Sequence, residues 1–506
     1  MPQFTTYDGT VLSYRTQGTG EPLLVLPGGP LRDAGYLGDL GGLTAHRTLL
    51  VLDPRGTGGS EVPADPASYR CDRQVADVEA FRVHLGLDRI DLLGHSAGGA
   101  LALLYAAAHP ERMRSLVLVT TGGRAVGLDT SDEEWDEAVE VFADRPWYPE
   151  ARAALETIGP DTPMEEAAAI VMPFSYGRWD EAARAHAAGL REQTNWAGAR
   201  EYYAEGAFDP EAIRRALREL TAPVLVLAGA YDGGPTPAKA AAIAACFPHA
   251  ELVVQPATAH FPWVDDAGAF LRPVAAFLDP EVRTVTVDGV RLAYRVSGPE
   301  GAPPVVLVHG RGENGADWTD LARELAADRR VYAPDLRGHG LSDWPGTYGF
   351  GVFRDELGGF IKALGLAGAT VVGHSMGGAA ACLLAQREPE LIGRLVLEEA
   401  PVFFPLDPPR GPAEPPSGPV GLDWAVVGAT DAELNDPDPA WRADLSRITA
   451  PTLIVAGGRS SHLPQEQQAW MAEQIQDTAL VTIKGGHLVH RNRPEKFLAA
   501  LRKFGV

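Results

Sequence analysis

Short, unbroken apolar runs punctuate the chain. Pro22 to Leu26, Thr48 to Leu52, Ile90 to Leu93, Leu116 to Val119, Val224 to Leu227 and Pro304 to Val308 are of this kind. A strand with one wet face alternates apolar and polar residues. A run without alternation predicts a strand covered on both faces, as in a parallel sheet. Helix-length segments such as Val75 to Leu85 and Ala97 to Ala108 lie between the runs. Strand–helix alternation predicts right-handed crossovers and an α/β fold, a mostly parallel sheet flanked by helices. In such sheets ligands sit at the carboxyl ends of the strands.

The pattern occurs twice. Asp8-Gly9 followed by Tyr14-Arg15 returns as Asp288-Gly289 followed by Tyr294-Arg295. Asp53, Arg55, Gly56 and Ser60 return as Asp335, Arg337, Gly338 and Ser342. Gly94-His95-Ser96 returns as Gly373-His374-Ser375. All three matches share an offset of about 280 residues, too long for a solenoid repeat, which predicts two copies of one domain. The expected domains are residues 1–280 and 281–506, joined near Leu278-Asp279-Pro280-Glu281.

Composition narrows the partners. With 67 acidic and 44 basic residues the net charge is −23, which repels phosphate backbones and argues against nucleic acid. The three cysteines, Cys71, Cys246 and Cys382, form no CxxC pair; a zinc knuckle or dithiol site is not expected. No HExxH, Walker loop or dinucleotide fingerprint is present, so neither metal nor cofactor is expected. The first residues lack a basic region followed by an apolar run, and the longest apolar stretch, Ala100 to Ala108, is too short to span a membrane. A cytoplasmic protein acting on a small molecule is expected, with no membrane partner.

Ile90 to Leu93 leads into Gly94-His95-Ser96-Ala97-Gly98 and then an Ala/Leu helix; Thr370 to Val372 leads into Gly373-His374-Ser375-Met376-Gly377 and a second such helix. Both are G-x-S-x-G in strand–turn–helix context. The bend is sharp enough to require small residues on either side, and it lifts the serine hydroxyl above the sheet beside a helix N-terminus. In these motifs both halves resemble the α/β-hydrolase superfamily. Pro27-Gly28-Gly29-Pro30 and Asp53-Pro54-Arg55-Gly56-Thr57-Gly58 further resemble the proline iminopeptidase branch, with Pro27 where that branch carries His and His95 and Ala97 where it often carries Ser and Trp.

The family order of serine, acid and histidine then gives Ser96 as nucleophile, Asp232 as orienting acid and His260 as base in the first half. The oxyanion donors are the N–H groups of Gly29 and Ala97. A helical cap is expected over about residues 122–220, where Glu201 and Glu205 are either amine-binding carboxylates or a solvated helix face. In the second half the base is His487, with His490 as second choice, and the donors are the N–H groups of Arg311 and Met376. Ser460 stands where Asp232 stands in the first half, so the acid must come from elsewhere. As in family members that take it from the end of the preceding strand, it is expected to be Glu399, with Glu398 second. The second cap is smaller, about residues 402–448.

The reading is a serine hydrolase of carboxylic esters or amides with two Ser-His-acid sites working through an acyl-enzyme, the first iminopeptidase-like. Two alternatives stay open. One is an active domain fused to a pseudoenzyme or binding domain; the other is acyltransferase or lyase chemistry on the same triad.

Overall fold

The computed structural model describes residues 1–417 and 420–506; positions 418 and 419, inside the expected second cap, lie outside the described residues. The chain forms two compact units, Met1–Leu278 and Asp279–Val506.

The strands of the first unit are β1 Gln3–Thr5, β2 Val11–Gly18, β3 Pro22–Leu26, β4 Thr48–Leu52, β5 Ile90–His95, β6 Met113–Val119, β7 Val224–Gly229 and β8 Ala250–Gln255. They form one sheet in the order β1-β2-β4-β3-β5-β6-β7-β8. Pairing is antiparallel at β1–β2 and β2–β4 and parallel from β4 onward. The second unit contains β9 Val282–Val287, β10 Val290–Ser297, β11 Pro304–Val308, β12 Arg330–Pro334, β13 Ala369–His374, β14 Ile392–Glu398, β15 Thr452–Ala456 and β16 Thr478–Thr482. Its order, β9-β10-β12-β11-β13-β14-β15-β16, repeats that of the first.

The apolar pattern explains which strands lie inside. Every residue of β5, β7 and β15 is buried. The edge strands β8 and β16 expose Leu252, Val254 and Leu480, because one side of an edge strand has nothing to pack against. The helices Ala97–Ala108 and Ser375–Arg387, which follow the serine turns, pack on the sheet through residues buried along nearly their whole length. They begin close to the strands. A Cβ on Gly98 would lie 2.3 Å from the Leu26 carbonyl oxygen, and one on Gly377 would lie 2.4 Å from that of His309. Any other side chain would force helix and strand apart.

The repeated Asp-x-Arg-Gly segment is an anchor for the loops above the sheet. Asp53 accepts the Ala34 N–H at 3.0 Å and the Ser13 hydroxyl at 2.8 Å. Asp335 accepts the Gly315 and Leu341 N–H groups at 2.7 and 2.8 Å. Arg55, fully buried, forks onto both carboxylate oxygens of Asp77 at 2.6 Å and reaches Asp8 at 2.6 Å. Arg337 does the same job with Glu356 at 2.6 Å. Removing Asp77 leaves the buried Arg55 with Asp8 alone, so Asp77→Ala is expected to cost the first unit about 3 kcal/mol, the low end for breaking a buried pair. Urea unfolding of the full chain, followed by far-UV circular dichroism, measures the loss.

Seven short helices between Asp132 and Leu217 separate β6 from β7 and form the first cap. In the second unit the matching stretch holds the helix Ala425–Asn435 and the short Ala440–Ala443, and the described residues between β14 and Ala425 form no helix or strand. Among the described residues no helix is long and apolar enough to cross a membrane.

Candidate active sites

In each unit the strand bearing the serine stops abruptly. Ser96 has φ 52° and ψ −118°, and Ser375 has φ 50°. These positive φ values are costly for a residue with a Cβ and persist only where surrounding packing imposes them. Here the glycines on either side let the helix close onto the strand ends.

The first unit brings its three expected residues together. His260 Nε2 lies 2.9 Å from Ser96 Oγ, and its Nδ1 lies 2.9 Å from Asp232 Oδ2. The carboxylate can only accept, so Nδ1 carries the proton and Nε2 accepts from the serine hydroxyl. Asp232 is buried just past β7, and its other oxygen accepts the Gly234 N–H at 2.9 Å. The loop carrying His260 is pinned to the cap. The His260 N–H donates to the Ser175 carbonyl at 3.0 Å, and Asp265 accepts N–H groups from both Ala259 and Gly177 at 2.9 Å. Burial pushes the Asp265 carboxyl up to about 6.

The second unit assembles Ser375, His487 and Glu399. His487 Nε2 is 2.9 Å from Ser375 Oγ, and Nδ1 is 3.5 Å from Glu399 Oε2. Glu399 follows β14 at φ 50°, as Thr120 follows β6 at φ 43°. This turn points both side chains toward the histidine loop: Thr120 Oγ1 donates to the His260 carbonyl at 3.0 Å. Glu399 also accepts hydrogen bonds from the Gly457 N–H, the Ser461 hydroxyl and, at 3.2 Å, Gln465 Nε2. Burial opposes its charge, but the hydrogen bonds from His487, Ser461 and Gly457 outweigh burial and lower its pKa. Glu398 points elsewhere. It accepts the N–H of His490 at 2.8 Å and its Nδ1–H at 2.8–3.0 Å, so neither Glu398 nor His490 pairs with Ser375.

The loops after β3 and β11 lie against the serine turns. A Cβ on Gly28 would come within 2.8 Å of Ser96 Cβ, and one on Gly310 within 2.6 Å of His374 Nδ1. The Gly28 N–H donates to Tyr36 Oη at 2.7 Å and the Gly310 N–H to Glu313 Oε2 at 2.8 Å. These two donors are taken; Gly29 and Arg311 are the next residues of the two loops, and Ala97 and Met376 follow the serines.

One layer of the sites has no signal in the sequence motifs. His95 Nε2 donates to the His260 carbonyl at 3.0 Å, and His95 Nδ1 accepts the Tyr36 hydroxyl at 2.7 Å. In the second unit His374 Nε2 donates to the His487 carbonyl at 2.9 Å, but its Nδ1 meets Glu313 at 2.8 Å. Burial and the nearby His260 and Arg32 hold His95 neutral. Burial also works against charge on His374, yet Glu313 and Glu398 raise its pKa. Glu201 and Glu205 are solvent-exposed; their neighbour Tyr202 is buried and donates to the Ala97 carbonyl at 2.9 Å.

Two mostly parallel sheets in this strand order, each with a strained serine touching a loop histidine, define an α/β hydrolase fold. The chain belongs to the alpha/beta hydrolase fold family, which matches residues 21–267 and 303–418. A proline iminopeptidase of Levilactobacillus brevis is 28% identical over 283 residues, covering 53% of this chain and 90% of that protein. A 2-hydroxymuconate semialdehyde hydrolase of Pseudomonas sp. (strain CF600) is 39% identical over 134 residues, 25% of this chain and 47% of that one. An uncharacterized protein of Mycobacterium tuberculosis (strain ATCC 25618 / H37Rv) is 37% identical over 131 residues, 26% of this chain; the match spans only 38% of that relative's length. Among solved structures, the enol-lactonase from Burkholderia xenovorans LB400 is 25% identical with a TM-score of 0.41, covering 55% of this chain and 99% of that one. The family is one of hydrolase enzymes.

Proposed function

We propose that the protein is a serine hydrolase of carboxylic esters or amides, with one Ser-His-acid site in each unit. The observation that carries this reading is the 2.9 Å contact between serine Oγ and histidine Nε2 in both. The histidine takes the serine proton as Oγ attacks the carbonyl, and the backbone N–H groups of Gly29 and Ala97, or of Arg311 and Met376, stabilise the oxyanion. The histidine then protonates the leaving group. Water, deprotonated by the same histidine, releases the acid from the acyl-serine and restores the hydroxyl.

The relative named proline iminopeptidase makes a prolyl amide the first amide to test on Ser96. Glu201 and Glu205 face solvent, so they lend no support to an amine-binding pocket. A second reading, in which only the first unit turns over, is favoured by one distance: Glu399 stands 3.5 Å from His487, against 2.9 Å for Asp232 and His260.

Fluorophosphonate labelling read by intact mass tests both readings. Two adducts are expected on the wild type and one on each of Ser96→Ala and Ser375→Ala. A single adduct on the wild type, lost in Ser96→Ala, supports the second reading. No adduct at all overturns both.

A further inference from the structure

The second site has two arginines in its pocket. Its pocket, about 210 Å³, is lined by Ser375, Met376 and His487 together with Arg311 and Arg410. Arg311 Nη1 donates to Thr430 Oγ1 at 3.0 Å and Asp431 Oδ1 at 2.7 Å. Arg410 Nη1 donates to the same Asp431 oxygen at 2.6 Å. Two guanidiniums thus share one carboxylate, Asp431, while the other carboxylate of the site, Glu399, faces His487. Burial and the adjacent His487 lower the pKa of His462, which also lines the pocket.

The arginines are held, not dangling. Arg410 is fixed at its backbone, where its N–H donates to Asn435 Oδ1 at 2.7 Å and its carbonyl accepts Asn435 Nδ2 at 2.9 Å. Asp431, Thr430 and Asn435 all sit on the helix Ala425–Asn435. Each guanidinium uses only part of its donor fork on that helix; both side chains remain about a third exposed. Arg311 is also the residue proposed to offer its N–H to the oxyanion, which would start its side chain beside the reacting carbonyl. The matching residue in the first unit, Gly29, has no side chain.

We infer that the second site selects esters or amides that carry a carboxylate, bound by the free N–H groups of Arg311 and Arg410. A guanidinium meets a carboxylate with paired, charge-assisted hydrogen bonds. This inference rests on Ser375 being a nucleophile only for turnover; the anion site is built whether or not turnover occurs.

The test uses the full-length Ser96→Ala chain, which leaves only the second site. Its kcat/KM is compared on 4-nitrophenyl hemiglutarate and 4-nitrophenyl butyrate, and on 4-carboxyphenyl butyrate and phenyl butyrate. The first pair reads a carboxylate in the acyl part, the second one in the leaving group. A preference for one anionic ester is expected, and R410Q should reduce that preference about tenfold or more. In parallel, glutarate binding to the Ser96→Ala/Ser375→Ala chain is measured by calorimetry with and without R410Q; the variant should weaken it by a similar factor. Preference for the neutral esters, or a preference and glutarate affinity unchanged by R410Q, overturns the inference. Arginine-dependent glutarate binding without turnover of any ester keeps the anion site and overturns the hydrolase reading of the second unit. Neither turnover nor binding overturns both.

Discussion

Asp232→Asn, made in a Ser375→Ala chain so that only the first site turns over, is expected to lower kcat by about 10⁴. The cause is the tautomer. Asp232 Oδ2 accepts the proton on His260 Nδ1, and this leaves Nε2 with a lone pair for the Ser96 hydroxyl. Asparagine can present its amide N–H to Nδ1 instead. The ring then carries its proton on Nε2, pointed at the serine, and cannot serve as base. Asp232 also offsets the charge that forms on His260 in the transition state, and asparagine does not. Since substrate binding does not use this carboxylate, KM should stay within a few-fold. Steady-state kinetics on a 4-nitrophenyl ester at neutral pH measures both. The corresponding Glu399→Gln change in a Ser96→Ala chain should cost less, because Glu399 is further from His487 and is already shared among Gly457, Ser461 and Gln465. Equal losses would mean that the longer contact in the second unit closes when substrate binds.

The parts of these sites legible in the sequence are those fixed by short segments. G-x-S-x-G demands its bend locally, so Ser96 and Ser375 stand out from a handful of residues. Continuous apolar runs announce strands buried on both faces, and β5, β7 and β15 follow that rule. Glu399 comes ahead of Glu398 only through the family resemblance; the structure separates them, since the positive φ at Glu399 turns its side chain toward His487 while Glu398 pairs with His490. What the sequence could not disclose comes from contacts across the topology. Tyr36 and His95 are 59 residues apart, and Glu313 and His374 are 61 apart; nothing near either histidine marks its partner. Arg410 lies in a proline-rich stretch without periodicity and Asp431 on the helix that follows it, and no pattern predicts that their side chains converge. The repeated Asp-x-Arg-Gly segment was visible as a repeat, but its work, holding loops through Asp53, Asp335, Arg55 and Arg337, appears only once the strands are stacked.

Glu313→Gln should destabilise the second unit by about 3 kcal/mol, and the size of the loss should depend on pH. Burial alone would raise the Glu313 carboxyl, but its hydrogen bonds to His374 and the Gly310 N–H lower it from 4.5 to about 2. The folded state therefore favours the carboxylate, and this stability is present above pH 4.5 and lost as pH falls toward 2. His374 has the opposite sign: its folded pKa is raised above 6.5, so its share is present below pH 6.5 and lost as pH rises through the folded value. The two windows overlap between about pH 4.5 and 6.5, where the pair is fully charged and the variant should differ most from wild type. Glutamine can place its amide oxygen where Glu313 Oε2 accepts from both Gly310 and His374, so what the change removes is the negative charge opposite His374. The other charged or titratable groups facing His374, namely Glu398, His487 and His490, remain in both proteins. Tyr36→Phe supplies the control in the first unit. It breaks the same link to the elbow histidine but removes no charge, so its cost of about 1 kcal/mol should not vary across this range. Urea unfolding of wild type and both variants at pH 5.5 and 9 measures the contrast. A Glu313→Gln penalty equal at the two pH values would mean that His374 does not change its charge between them, which overturns the pH dependence expected here.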